Sequence, residues 1–135
     1  YGKAFATHAT RVGGAKMKYF KTHEFDSPDL PGSGEKMNPE FLEKLDKLRE
    51  ACGFPFVITS GYRTEDHNKA VGGEKGSAHL LGRAADIQCN GIQAYMILTL
   101  AAKFGFTGIG VKQSGGGRYV HLDDAHVVPV VWTYP

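Results

Sequence analysis

The stretch GSAHLLGRAADI, residues 76–87, sets two chelating side chains, His79 and Asp86, seven positions apart. Along a straight strand seven residues span about 23 Å, at roughly 3.3 Å each. Along a helix they span about 10 Å. Donor atoms on one zinc ion lie only about 2.0–2.2 Å from it. A straight strand therefore keeps the two side chains from a common ion, and a helix brings them together poorly. If both serve one site, the chain must turn between them. Gly82 is the residue in that interval that admits backbone conformations closed to other residues. Ala84 and Ala85 then let the backbone run at close quarters into a strand that carries Asp86.

A third donor stands in YVHLDD, residues 119–124. Alternation along a strand puts Val120 and Leu122 on one face and His121 and Asp123 on the other. An apolar face backed by a His/Asp face is what the wall of a site looks like. Two histidines, one carboxylate and an open position match a catalytic zinc centre. The plainer alternative is a histidine satisfied in the core and an aspartate capping a turn.

The rest of the chain supplies a scaffold. Asn38 can cap a helix that begins at Pro39 and ends at Gly53, with Phe41, Leu42, Leu45 and Leu48 on one face. A buried strand is expected over 56–59, ended by Ser60-Gly61. Residues 63–79 are polar and glycine-rich, with room for one helical turn. A short strand is expected over 82–89, a second helix over 91–105 ended by Gly105, and two strands over 106–111 and 118–124. This order predicts an α+β fold: a small, mainly antiparallel sheet with helices packed on one side and the zinc site on the sheet.

Length suits a single domain. Residues 1–16 are short of large aliphatics and end in Gly-Gly-Ala-Lys, so they are expected to be a linker or an expression-derived arm, with the folded domain over 17–135. An ordered N-terminal arm is the alternative. The formal charge of +2 is too small to point to nucleic acid, although it suits an anionic polymer such as a cell wall. No apolar run approaches the roughly 18 residues of a membrane span, and no signal-peptide pattern is visible. Cys52 and Cys89 lack metal-type spacing; free thiols are expected, with a disulfide as the alternative.

With these residues in view, SAHLLGRAAD fits the pattern Ser-x-His-x-x-Gly-x-Ala-x-Asp. Together with the later VHLD it resembles the M15 metallopeptidases, the zinc D-Ala-D-Ala carboxypeptidase and phage endolysin group. SGYRT, HNKAVGG and FDSPDLPGSGEKM look like the compact, single-domain branch of that family. The resemblance implies Zn²⁺ on His79, Asp86 and His121, and a peptidoglycan stem peptide as substrate. It implies that Arg63 binds a substrate carboxylate or polarises the scissile carbonyl, and that Ser77 hydrogen-bonds within the site. It implies a D-Ala-D-Ala carboxypeptidase or an L,D/D,D-endopeptidase, including a phage endolysin; a monomer without a nucleic-acid partner is expected.

One departure stands out. Many relatives place an acid or a histidine two or three positions before the last metal histidine, as general base; here those positions hold Tyr119 and Arg118. Asp123 is then the nearest candidate base, with an orienting partner for a ligand histidine and a simple loop acid as its alternatives. Arg63 as a surface turn residue is likewise the alternative to its site role. Ser77 has no adjacent base and suits a supporting hydrogen bond better than a nucleophile. His67 and Asn68 are expected to be structural, and His8, His23 and His126 to lie on the surface. Two other functions compete. A non-haem iron oxygenase could use His121-x-Asp123, but needs a distant downstream histidine and a large β-barrel. A cell-wall-binding module could keep the fold without cutting.

Overall fold

The computed structural model describes residues 10–12 and 15–135. Two short strands, β1 (Thr10–Val12) and β2 (Ala15–Met17), pair antiparallel. Most of the expectation for residues 1–16, and His8 with it, lies outside the described residues. The first long element is helix α1 (Pro39–Cys52). The Asn38 side chain accepts from the Phe41 N–H at its start, and Gly53, at φ 80°, closes it in the left-handed region.

A five-stranded sheet follows, in the order β3-β4-β6-β5-β7. Its members are β3 (Val57–Ser60), β4 (Ala84–Gln88), β5 (Gly108–Lys112), β6 (Tyr119–Asp123) and β7 (Val130–Thr133). All pairs are antiparallel except β5 with β7. Helix α2 (Glu65–Ala70) is the short turn allowed for in the polar segment, and α3 (Gly91–Ala101) is the second long helix. The expected α+β architecture is therefore present, with a mostly antiparallel sheet.

Alternation sorts the sheet into two faces. Ala85, Ile87, Ile109, Val120 and Leu122 point into the core, where Phe41, Leu42, Leu45 and Leu48 of α1 and Ile97 of α3 meet them. Asp86, Gly108, Gly110, His121 and Asp123 take the other face. Fully burying each large core side chain contributes roughly 1.5–3 kcal/mol. The two faces have separate tasks: one stabilises the fold and the other carries the polar site.

Three sequence expectations need amendment. The strand expected at 56–59 lies at Val57–Ser60 and is a sheet edge; Val57 is 54% exposed, and the buried residue is Phe56 just before it. An apolar run cannot by itself tell an edge from a centre. Helix α3 ends at Ala101 and passes into a 3₁₀ turn, Ala102–Phe104, before Gly105. Strand β7 was not expected at all, although VVPVVW has the β-branched content of a strand. Cys52 and Cys89 are both free and buried, and burial raises the Cys89 thiol pKa to about 11. Among the described residues, no helix is long and apolar enough to cross a membrane.

The loop FDSPDLPGSGEKM braces the site from below. Asp26 accepts from the Gly32 and Gly34 N–H groups, at 3.0 and 2.7 Å, and folds the loop on itself. Ser27 and Thr64 both donate to Asp29, each at 2.6 Å, which ties the loop to the turn after Arg63. The Tyr62 N–H donates to the Phe25 carbonyl at 2.9 Å. The far end of the loop lies against Gly82, whose carbonyl accepts from the Asn38 N–H at 2.9 Å.

Candidate functional site

His79 sits in a 3₁₀ turn, Ala78–Leu81, capped by Ser77, whose Oγ accepts from the His79 N–H at 3.2 Å. Gly82 ends the turn with φ 68°, in the left-handed region. A Cβ at Gly82 would also fall on the Lys36 carbonyl oxygen and lie 2.9 Å from Met37 Cα. The bend inferred from spacing alone is thus real, and two constraints require glycine there. Beyond it β4 delivers Asp86 directly opposite His121 on β6.

The three side chains converge. His79 Nε2 lies 3.3 Å from Asp86 Oδ1, and His121 Nδ1 lies 3.0 Å from the same oxygen. One donor atom from each residue falls within 4.8 Å of the others, and all three residues are buried. Tetrahedral zinc ligands at about 2.1 Å stand about 3.4 Å apart, so the two measured separations fit one ion.

The ring tautomers fit as well. His79 Nδ1 donates to the Gly61 carbonyl at 2.7 Å, which leaves Nε2 bare. His121 Nε2 faces Asp123 Oδ2 at 2.7 Å; a carboxylate only accepts, so Nε2 carries the proton and Nδ1 is the metal-facing atom. Burial alone would raise the Asp86 pKa, but hydrogen bonds from His121 and His79 outweigh it and hold the carboxyl well below the usual carboxylate range. Burial disfavours the His121 cation, yet Asp123 and Asp86 raise its pKa above the ordinary value. Two imidazole nitrogens and one ionised carboxylate oxygen converging on one point suit zinc.

Arg63 joins the cluster from the turn after β3. It donates from Nε to Ser60 Oγ at 3.0 Å, from Nη1 to Asn68 Oδ1 at 3.2 Å and from Nη2 to Asp86 Oδ2 at 3.4 Å. Buried Asn68 is a structural residue, as expected, and its task is to hold Arg63; its own Nδ2 donates to the Glu74 carbonyl at 2.9 Å. A Cβ at Gly73 would fall on the Asn68 side chain and reach within 3.0 Å of Arg63 Nη1.

Asp123 lies beside His121 on the site face, as alternation predicts. Both of its oxygens are occupied. Oδ2 faces His121, while Oδ1 accepts from the Ala125 N–H at 3.1 Å and faces His126 Nδ1 at 2.8 Å. Burial raises its pKa, but the bonds from His121 and His126 prevail and lower it to about 2. Asp124 points elsewhere: its Oδ2 takes ion pairs from Lys44 and Arg83, both at 3.0 Å.

Arg63, Ser77, His79, Asp86, His121 and Asp123 all line one open cleft of about 760 Å³. Every site residue read from the sequence is therefore brought together. The same cleft holds residues that sequence reasoning missed. Trp132 and Tyr134 come from β7 and its end, and Tyr119 faces them; the Tyr119 and Tyr134 ring centroids are 5.2 Å apart. His126 is exposed, as expected of a surface residue, yet it lines the cleft too. His23 is exposed.

Two glycines make room for this wall. A Cβ at Gly108 would fall on the Asp123 carboxylate, and one at Gly110 would lie 2.7 Å from Trp132 Nε1. Residues 18–123 match the family model for Peptidase M15, a span that contains all three candidate ligands and both glycines. The chain belongs to the M15 peptidase family. Over 86 residues, 62% of its length, this M15 chain is 38% identical to the zinc D-Ala-D-Ala carboxypeptidase of Streptomyces albus G. The match spans 32% of that relative's own length. His126 and Trp132 fall beyond the part of the chain that the M15 family model covers.

Proposed function

We propose that this chain is a zinc-dependent peptidase that hydrolyses peptidoglycan stem peptides at D-alanine bonds, working as a monomer. One observation carries the proposal: the buried His79–Asp86–His121 cluster opens into a cleft rather than closing on itself. A structural zinc site has four protein ligands, whereas a catalytic one keeps a position open. Family membership and the named relative support that substrate class. The match does not extend over the relative's whole length, so the bond cut is part of the proposal.

In this site His79, Asp86 and His121 hold the ion. When bound, zinc acts as a Lewis acid on the carbonyl and lowers the pKa of water toward about 7. Arg63 is locked on three sides and presents a fixed positive charge at the cleft, where it grips a substrate carboxylate or the scissile carbonyl oxygen. Ser77 fixes the turn under His79 and lends its hydroxyl to the cleft wall. Asp123, with both oxygens engaged, holds the His121 ring and its tautomer.

The test is hydrolysis of purified peptidoglycan and of a synthetic peptide ending in D-Ala-D-Ala, with and without a chelator. Chelator-sensitive cleavage, with one zinc per chain by elemental analysis, is expected. Free D-alanine among the products marks a carboxypeptidase, and shortened cross-bridges mark an endopeptidase; lysis of intact cells added from outside marks an endolysin. Retention of peptidoglycan without any cleavage would replace the proposal with a wall-binding module.

A further inference from the structure

We propose that His126 is the proton carrier of this site, the group that takes a proton from the attacking water and delivers it to the leaving amine. The inference rests on the peptidase function proposed above. Hydrolysis of a peptide bond needs such a carrier, and no acid stands in the two or three positions before His121. The acids near the metal donors are committed: Asp86 belongs to the cluster, and Asp123 has both oxygens engaged.

His126 meets the requirements one by one. Its Nδ1 lies 2.8 Å from Asp123 Oδ1. The carboxylate can only accept, so Nδ1 carries the proton and Nε2 is left bare as an acceptor. The same bond anchors the ring against a buried carboxylate and fixes its orientation. The side chain is 42% exposed, so water and substrate can reach it, while His79 and His121 are buried. Trp132 sets its position: the indole centroid is 5.6 Å from the His126 ring and 5.1 Å from the His121 ring. One aromatic side chain thus packs against both rings, and His126 lines the same cleft as His79, Asp86 and His121. Asp123 bridges the two histidines with its two oxygens, so one buried carboxylate orients both. Glu74 also lines the cleft, but no side-chain hydrogen bond fixes it among the described residues.

In the reaction the water oxygen bonds to the scissile carbonyl carbon, and one water proton passes to His126 Nε2. The carbon–nitrogen bond then breaks. The same proton moves from Nε2 to the departing nitrogen, which leaves as an amine, and the imidazole returns to its neutral form. The products are a carboxylic acid and an amine, and the proton count balances.

The test has two independent parts. In zinc-free protein at pH 8, nitrogen NMR of the His126 ring should show Nδ1 protonated and Nε2 bare. The opposite tautomer overturns the inference whatever the activity. In the zinc-loaded protein, His126→Gln and His126→Ala should lower kcat by roughly 10²–10⁴-fold. KM and zinc content should stay unchanged, and added imidazole should restore part of the His126→Ala rate. His23→Gln, at an exposed histidine outside the cleft, should retain the parent rate. Parent-like kcat in both His126 variants, or loss of zinc along with activity, overturns the assignment. If the unaltered protein leaves every peptide intact, it is the peptidase function that fails, and His126 then has no proton to carry.

Discussion

Gly108 carries no chemistry and lies far in sequence from His79 and Asp86, yet replacing it with alanine should damage the site. It pairs directly with Asp123 across β5 and β6. A Cβ built at Gly108 lands on the Asp123 carboxylate, with Oδ1, Oδ2 and Cγ all in the way. The strand backbone is held by β6 on one side and β7 on the other, so the carboxylate must yield. Its bonds to His121, His126 and the Ala125 N–H are then strained together. Overpacking costs about 1–3 kcal/mol, and losing a hydrogen bond to a charged group costs about 1.5–3 kcal/mol. Since the bonds share one carboxylate they do not add, and a total of roughly 2–5 kcal/mol is expected. In a domain of this size that lowers Tm by roughly 10–20 °C. Zinc affinity should also weaken by about 10–100-fold, because the His121 ring loses its orienting partner. Thermal unfolding of the zinc-free protein measures the first effect, and competition with a chromophoric chelator measures the second. Gly116→Ala is the control, since its Cβ would meet nothing within 4 Å. If Gly108→Ala matches that control in both assays, the carboxylate does not sit where the geometry puts it.

Three other perturbations separate the parts of the site. His79→Ala should abolish stoichiometric zinc binding; elemental analysis that still finds one ion per chain would remove His79 from the ligand set. Arg63→Lys keeps the charge but cannot reproduce bonds to Ser60, Asn68 and Asp86 at once, so turnover should fall on the order of 10²-fold with zinc content unchanged. In zinc-free protein, the raised pKa of His121 means that its ion pairs stabilise fully below about pH 6.5 and fade as pH rises through the folded value. The depressed pKa of Asp123 works in the opposite sense, stabilising above about pH 3.9 and fading as pH falls through about 2. The Tm advantage of the parent over His121→Gln, both zinc-free, should therefore shrink from pH 6 to pH 8; an advantage that grows over that range contradicts the pairing.

Much of this protein could be read locally. The α1 helix was legible because its cap, its Pro39 and its apolar stripe all act within a few residues of one another. The bend at Gly82 followed from reach once His79 and Asp86 were assigned to one ion, since seven extended residues are too long to share it. The two faces of β6 followed from alternation, which is a property of any strand. Resemblance joined Arg63 and Ser77 to these residues and named the zinc.

Other features depend on contacts between distant parts of the chain. Which strand lies at an edge, and which pairs with which, is decided by the sheet as a whole, so Val57 was misjudged and β7 was missed. Gly108 and Gly110 looked like ordinary strand glycines; only the register against Asp123 and Trp132 shows what a methyl group would displace. His126 is three residues past Asp123 in a segment with no regular pattern. Nothing local says that its ring turns back to the same carboxylate that holds His121. Periodicity and backbone sterics are written into neighbouring residues, whereas register and side-chain convergence arise only when distant strands have already packed.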